Sequence, residues 1–382
     1  MATRIVYSEG PSSPRLSPAD VLLAAGVDAP ADVTLGWTVE RHPWVDDPGF
    51  RGSTVLAGYG LGQAVTDGRV TPLPIRVSAM APMLIADPPD IGVIAVVRRG
   101  SGFAFGSTVG WGDALAGAAR LVVVEVDDRG IDLGGPTVEG NIVAELTRPA
   151  AGAEPPTRPR AADDIDFKIG ALVASLVPHD ATVQFGPGGI GEGIARAVDR
   201  PVRIWSGLCT DAMAALHIRG LLLAPAVAAY TWGGQPIRDL AADGMLDLAS
   251  TTTTHDITRL SAIPRFFGCN TALQVGLDGS VNVERVGSRV IAAIGGHSDF
   301  CIGASRSPGG LSIIAVRSSS ALGSSTIVGR VDVVSTQRSD VDVVVTEHGI
   351  ADLRGAGDAE RSARLISIAA PEHRAALTAD RA

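Results

Sequence analysis

Three features of the amino-acid sequence predict an α/β fold with mainly parallel sheets. Branched apolar runs such as IGVIAVV (91–97) and LVVVEV (121–126) carry no polar alternation. A short helix of small residues, DALAGAAR (113–120), stands between them. Further on, TVQF (182–185) delivers a glycine-rich turn to a helix-forming segment, GPGGIGEGIARAV (186–198). Continuous branched runs are expected of strands covered on both faces, and strands alternating with helices are expected of parallel sheets.

The elements follow in order. SPADVLLAAG (17–26) is predicted as a helix with Ser17 as N-cap, Pro18 in the first turn and Gly26 as its stop. After LVVVEV the character changes. TRPAAGAEPPTRPRAAD (147–163) is rich in Pro, Ala and Arg, has no apolar period, and is predicted as a linker or a long surface crossing. It divides the chain into residues 1–160 and 161–382. Beyond it, DIDFKIGALVASLV (164–177) is predicted as helix, RIW (203–205) as strand and TDAMAALHIRG (210–220) as helix. Strands are predicted at RVIAAI (289–294), SIIAV (312–316), VDVV (331–334) and VDVVV (341–345). No repeat period appears, although the two halves have the makings of related α/β units.

The composition bounds the function. A chain of 382 residues, 46% hydrophobic and 19% charged, suits two ordinary domains with real cores. A net charge of -9 argues against a broad nucleic-acid surface. Cys209, Cys269 and Cys301 form no CxxC pair, which argues against a disulfide framework or a structural zinc site. The start, MATRIVYSEG, lacks an apolar core of the signal-peptide kind, and GLLLAPAVAAY (220–230) is too short to span a bilayer. A cytoplasmic protein with no membrane partner is the expectation. Lys168 is the sole lysine, so Schiff-base chemistry has one candidate.

The glycine turn admits two readings. Gly186, Gly188, Gly189 and Gly191 let backbone amides approach an anion at a helix N-terminus. Equally, they form a plain strand-to-helix turn. Gly186, Gly188 and Gly191 also spell GxGxxG, but a dinucleotide site needs an acid at the end of the next strand. The predicted strand RIW is followed by Ser206 and Gly207, and Asp211 falls inside the predicted helix.

Asp211, read alone, is a first-turn acid placed for the helix dipole, with Thr210 or Ser206 as cap. Its position beyond a strand's carboxyl end, one β–α unit after the glycine turn, lets one ligand reach both. His297, Ser298, Asp299, Ser305, Glu347 and His348 supply the letters of a Ser-His-Asp triad, but no GxSxG elbow exists and near neighbours rarely share a working geometry. Metal ligation by His297, Asp299 and His348 fits no familiar spacing, so no metal is expected. Most of these residues are expected to be structural. Cys209 is expected to be an unactivated buried thiol, and Arg306 and Arg354 to serve phosphates or surface pairs.

IGGHSDFCIGASRSPGGLSIIAV (294–316) and VDVVVTEHGIADLRG (341–355) resemble the C-terminal signature of the acetyl-CoA hydrolase/transferase family. VQFGPGGIGEGIARAV (183–198) resembles its CoA-binding glycine segment, and NTALQVGLDGSVN (270–282) its N-x-x-x-Q/E segment. GSGFAFGSTVGWGDALAGAARLVVVEV (100–126) more weakly resembles its N-terminal domain. The resemblance implies two α/β domains of the CoA-transferase type with the active site between them, and a homodimer. It implies a CoA-transferase acting on a short-chain acyl-CoA and a small carboxylic acid, with coenzyme A as substrate and no tightly bound cofactor. Asp211 falls on the family's catalytic glutamate, in Gly207-Leu208-Cys209-Thr210-Asp211-Ala212. By the same resemblance Gln184, Phe185, Gly186, Pro187, Gly188 and Gly189 hold CoA, and Leu273, Gln274, Gly295 and Gly296 line the CoA and acyl region, the last two offering oxyanion donors. The side chain of Asp211 is one methylene shorter than glutamate, which opens hydrolysis by a water, or binding without turnover, as alternatives to transfer.

Overall fold

Two parallel sheets wound in the same way form the molecule. The structure is a computed structural model and describes residues 2–151 and 160–380. The first sheet contains β1 (Thr3–Tyr7), β2 (Ala31–Leu35), β3 (Gly52–Thr54), β4 (Val70–Pro72), β5 (Ile91–Arg99), β6 (Gly102–Ala104), β7 (Leu121–Val126) and β8 (Ile142–Thr147). Its order is β4-β3-β2-β1-β5-β7-β8, all parallel, with β6 antiparallel to β5. The second contains β9 (Thr182–Phe185), β10 (Arg203–Thr210), β11 (Ala226–Trp232), β12 (Leu246–Leu248), β13 (Phe266–Asn270), β14 (Leu311–Ala315), β15 (Val343–Thr346) and β16 (Gly349–Asp352). Its order is β12-β11-β10-β9-β13-β14-β15-β16, parallel except for the closing hairpin.

Each sheet starts at its middle, steps outward through four strands, then returns to the other side of its first strand. The order of strands therefore reverses between β1 and β5 and again between β9 and β13. Ligand crevices of open α/β sheets form beyond the strand ends at such reversals. The halves are packed together, since one apolar cluster holds Val6, Ile94 and Val124 of the first sheet and Val183, Ile204 and Ile313 of the second. Backbone bonds also cross the seam: Val109 N–H donates to Ala229 O (2.9 Å) and Thr231 N–H to Ser107 O (2.8 Å).

Local sequence accounts for many boundaries. Ser17 caps Pro18–Ala24 and completes a reciprocal capping box with Asp20. Asp163 caps Asp164–Leu176 in the same manner with Asp166. TVQF and LVVVEV are strands over the predicted residues. Three predictions fail. RVIAAI yields only Arg289–Val290, half of a small hairpin with Arg285–Val286. VDVV (331–334) is not a strand. RIW continues through Ser206 to Thr210, because β10 gains a parallel neighbour in β11 along its length, Trp205 opposite Val227 and Thr210 opposite Trp232. Of the predicted linker, residues 152–159 lie outside the described residues.

Candidate active site

The loops that follow β9, β10 and β11 surround a cavity of about 1050 Å³. Gly186, Pro187 and Gly188 form one side, Thr210, Asp211 and Ala212 the floor, and Trp232, Gly233 and Gly234 the next turn. Gly188 has φ +108°, in the left-handed region open to glycine, and it N-caps the helix Gly189–Ala197. The other glycines have a different reason. A Cβ on Gly189 would stand 2.1 Å from Asp166 Oδ2, and one on Gly191 2.1 Å from Gly186 O. They let the turn and the neighbouring helix Asp164–Leu176 approach closely. Of the four glycines read as anion-facing, Gly186 and Gly188 border the cavity.

Asp211 opens the helix Asp211–Ile218 directly after β10. Neither expected cap operates. Thr210 occupies the N-cap without a side-chain bond, and Ser206 Oγ donates to Leu208 O (3.1 Å). The Asp211 carboxylate instead reaches across to the next unit. Gly234 N–H donates to both of its oxygens, 2.9 Å to Oδ1 and 3.0 Å to Oδ2. Gly234 is the N-cap of Gln235–Ala242, so the carboxylate faces the positive end of that helix. A Cβ on Gly233 would lie 2.3 Å from Asp211 Oδ1. The Gly-Gly turn thus makes a fitted seat for this side chain.

Three arginines border the same cavity: Arg160, Arg196 and Arg219. Arg160 is anchored by Asp163 (3.1 Å) and Asp166, and Arg196 lies 4.5 Å over the Phe167 ring. Arg219 donates to Ala195 O (2.8 Å) at the end of the glycine-turn helix. Together with the amides of the glycine turn they make this margin of the cavity basic, with Glu192 beside them. None of the three arginines, nor Trp232, Gly233 or Gly234, was expected from the sequence. They come from separate elements, and the one local signal was the WGGQP turn.

The remaining expected site residues are elsewhere. Gln184 and Phe185 are buried in β9. Gln184 Nε2 donates to Asn270 Oδ1 (3.4 Å), and its Oε1 has no protein partner. Gln274 begins the short strand Gln274–Gly276 and accepts from Asn282 Nδ2 (2.6 Å), and the Leu273 N–H donates to Asn282 O. Gly295 O accepts from Val77 N–H (3.0 Å), a seam contact. Gly296 caps His297–Arg306, and a Cβ there would meet His255 Nε2 at 2.5 Å. His255 also lies 3.1 Å from where a Gly207 Cβ would be, so its ring bridges the Gly296 turn and the strand leading to Asp211. None of Leu273, Gln274, Gly295 and Gly296 borders the large cavity.

The triad letters do not assemble with Ser298 or Ser305. His297 Nδ1 pairs with Thr336 Oγ1 (2.9 Å), Asp299 accepts from Ser78 Oγ (2.7 Å), and Glu347, 3.8 Å from His348 Nε2, accepts from Ser318 Oγ (2.6 Å). Burial lowers His297 to about 4 and raises Asp299 to about 6. Burial, reinforced by Asp211, pushes the Cys209 thiol up to about 12, so it is no thiolate. Arg354 pairs with Asp352 (2.6 Å) away from the cavity. Among the described residues no three His, Cys, Asp or Glu side chains gather as a metal site, and no helix is long and apolar enough to cross a membrane. Because β10 runs to Thr210, Asp211 does stand at a strand end, and geometry alone no longer disfavours a dinucleotide.

Known proteins similar to this chain are coenzyme A transferases. Residues 239–381 match the acetyl-CoA hydrolase/transferase C-terminal domain. The chain is 28% identical over 352 residues to the 4-hydroxybutyrate coenzyme A transferase of Clostridium kluyveri, covering 86% of this chain and 81% of that protein. It is 26% identical over 302 residues to the butyryl-CoA:acetate CoA-transferase of Anaerostipes caccae, covering 73% and 68%. The crystal structure of RipA from Yersinia pestis superposes with a TM-score of 0.84 at 23% identity, over 100% of this chain and 94% of that one. The fold is thus an α/β fold of the CoA-transferase type. The chain is similar to CoA-transferases over most of its length, and its residues 239–381 match the C-terminal domain of the acetyl-CoA hydrolase/transferase family. The family model begins at residue 239, after the last residue that borders the cavity.

Proposed function

We propose that the protein transfers coenzyme A from an acyl-CoA to a small carboxylic acid, with Asp211 as the nucleophile. One observation carries the reading: Asp211 and the glycine turn share one cavity, with arginines at its margin. The CoA phosphates pair with Arg160, Arg196 or Arg219 and the amides at Gly186 to Gly188, and the pantetheine arm runs toward Asp211. The carboxylate attacks the thioester carbonyl and expels the CoA thiolate, leaving an acyl–Asp211 anhydride. The thiolate attacks the Asp211 carbonyl of that anhydride, releasing the acyl group as a free carboxylate and forming an Asp211–CoA thioester. The acceptor carboxylate attacks this thioester and the steps run in reverse. Covalent storage keeps the thioester energy from water. The division of labour follows the two sheets, which supports a boundary near residue 160.

Borohydride reduction after mixing with an acyl-CoA tests the intermediate. The thioester carbonyl at Asp211 becomes an alcohol, read as a mass change on the peptide that holds Asp211. Asp211→Asn is expected to lose transfer by roughly a hundredfold or more. Full activity in that variant sinks the assignment.

Hydrolysis is the second reading, and the seat of Asp211 favours it. A short carboxylate held at both oxygens by Gly234 N–H is pulled toward the protein rather than into the cavity. A water in the gap, with Asp211 as general base, would release CoA without an acceptor. CoA release measured with and without acetate or succinate decides between the two.

A further inference from the structure

Trp232, which borders the cavity with Asp211, belongs to an aromatic group. Aromatic residues make up only 4% of the chain, yet Trp37, Tyr59, Tyr230 and Trp232 gather at one point. Trp232 ends β11, pairs in register with Thr210, and borders the cavity with Asp211 and Gly234. Tyr59 stands against it at 5.6 Å between ring centroids and 79° between planes. Trp37 closes the group, 6.4 Å from Trp232 and 5.6 Å from Tyr59. Leu56 and Leu208 fill the space around these rings. Trp37 and Tyr59 come from the first half of the chain, so this is where that half packs behind the cavity-bordering Trp232.

Packing alone does not account for Tyr59. It is 40% exposed and sits at φ +45°, a left-handed conformation unusual for a bulky residue. Gly58 before it has φ +112°, and Gly60 after it is fixed by donating its N–H to Thr38 O (2.9 Å). A strained backbone that holds a half-exposed ring against an active-site tryptophan is the arrangement expected of a ligand wall.

We propose that Trp232, held from behind by Tyr59 and the buried Trp37, forms an aromatic wall beside Asp211 that selects acyl groups carrying a planar ring, so that the donor is an arenoyl-CoA and not a short unbranched acyl-CoA. The inference rests on the CoA-transferase reading and specifies its substrate. Rings set at 79° and 61° to the Trp232 plane fix its orientation, and a ring borne by the acyl group would stack on it, since aromatic pairs favour offset and edge-to-face contacts.

Benzoyl-CoA, acetyl-CoA and free CoA are the probes, each titrated calorimetrically into the full chain. Initial rates of transfer to acetate or succinate are measured with the two thioesters. Benzoyl-CoA is expected to exceed acetyl-CoA by roughly tenfold or more in both affinity and kcat/KM. Tyr59→Ala is expected to shrink that ratio severalfold and Tyr59→Phe to restore it. Tyr59→Leu replaces the alanine variant if the latter fails to fold. Equal or better use of acetyl-CoA overturns the proposal, as does a ratio unmoved in Tyr59→Ala. If thioesters bind without turnover, the affinity ratio alone decides. If neither thioester nor free CoA binds, the enzyme reading itself has failed and the aromatic wall with it.

Discussion

The two sheets share one winding, yet the crevice beyond the first is closed and the crevice beyond the second is open. After β1 the chain continues as Ser8-Glu9-Gly10, and other segments pack onto it. A Cβ on Gly36 would lie 2.3 Å from Glu9 Cβ, and one on Gly110 2.9 Å from Glu9 Cγ. Tyr230, from the second half, donates its hydroxyl to Glu9. The cavity beside β5 is about 30 Å³, space for a water or so. After β9 the chain continues as Gly186-Pro187-Gly188, and about 1050 Å³ stays empty. Glycines are present in both places. In one they let backbones fill the crevice, and in the other they border it. Topology therefore marks where a ligand is able to bind, and the packing of the loops determines whether one does.

Acid breaks this arrangement through histidines in both halves. Burial lowers His42 of the first half to about 4, and His255 and His297 of the second to about 3 and about 4. Each is neutral when folded at pH 6, whereas the unfolded chain takes up a proton near 6.5. The unfolded state therefore binds more protons between pH 6.5 and 4, and stability falls as pH falls through that window. The slope is about 1.4 kcal/mol per pH unit for each group. Asp299, raised to about 6, and Glu9, raised well above the usual carboxylate range, work in the opposite sense, as do Glu125, Asp340 and Asp342, because their folded forms keep protons that the unfolded chain loses. Urea unfolding midpoints from pH 7 to 4 report the sum, and a single histidine is isolated by substitution. His255→Asn is expected to reduce the slope by close to one proton. An unchanged slope would mean that His255 is charged in the fold.

A pair of alanine substitutions separates the crevices. In the open one, Gly233→Ala places a methyl group on the Asp211 carboxylate. Displacement of the reacting group by about 1 Å is expected to lower kcat by roughly a hundredfold. In the closed one, Gly110→Ala meets Glu9 and Tyr230 at a residue with φ +56°. There the cost is stability, about 2–4 kcal/mol from strain and overpacking. Activity per folded molecule and urea midpoints measured on both variants test the contrast. If Gly233→Ala is fully active, the seat formed by Gly234 is not what positions Asp211.

The sequence foretold the closed features of the fold better than the open ones. Strands such as Leu121–Val126, whose branched side chains are buried on both faces, were readable because burial dictated residue type. So was the helix Pro18–Ala24, whose cap and stop are local. RVIAAI and VDVV misled because propensity without neighbouring strands makes no sheet, and Ile291 and Val334 are 37% and 54% exposed. β10 was cut short because Gly207 and Cys209 carry no strand signal, while pairing with β11 extends it. At the site, Asp211 and the glycine turn were legible as motifs. Arg160, Arg196, Arg219 and Trp232 were not, since only the folded chain brings four separate elements around one cavity.

The smallest effect belongs to the bond that joins the crevices. Tyr230 belongs to β11, the strand whose end carries Trp232, and its hydroxyl serves Glu9 in the closed crevice. Glu9 is fully buried, and burial raises its carboxyl well above the usual range, so it is a neutral acid accepting from Tyr230. Its Oε2 has no protein partner. Tyr230→Phe removes that donor, leaves the carboxyl to the Trp111 backbone N–H, and is expected to cost about 1 kcal/mol in urea unfolding. The ring itself remains, 5.6 Å from Trp37, so the aromatic group beside Asp211 keeps its support. The ratio of benzoyl-CoA to acetyl-CoA turnover is therefore expected to stay within about twofold of the parent, well inside the tenfold expected of a wall residue. A larger change would show that β11 transmits the state of the closed crevice to the open one, and that the two halves act as a single site.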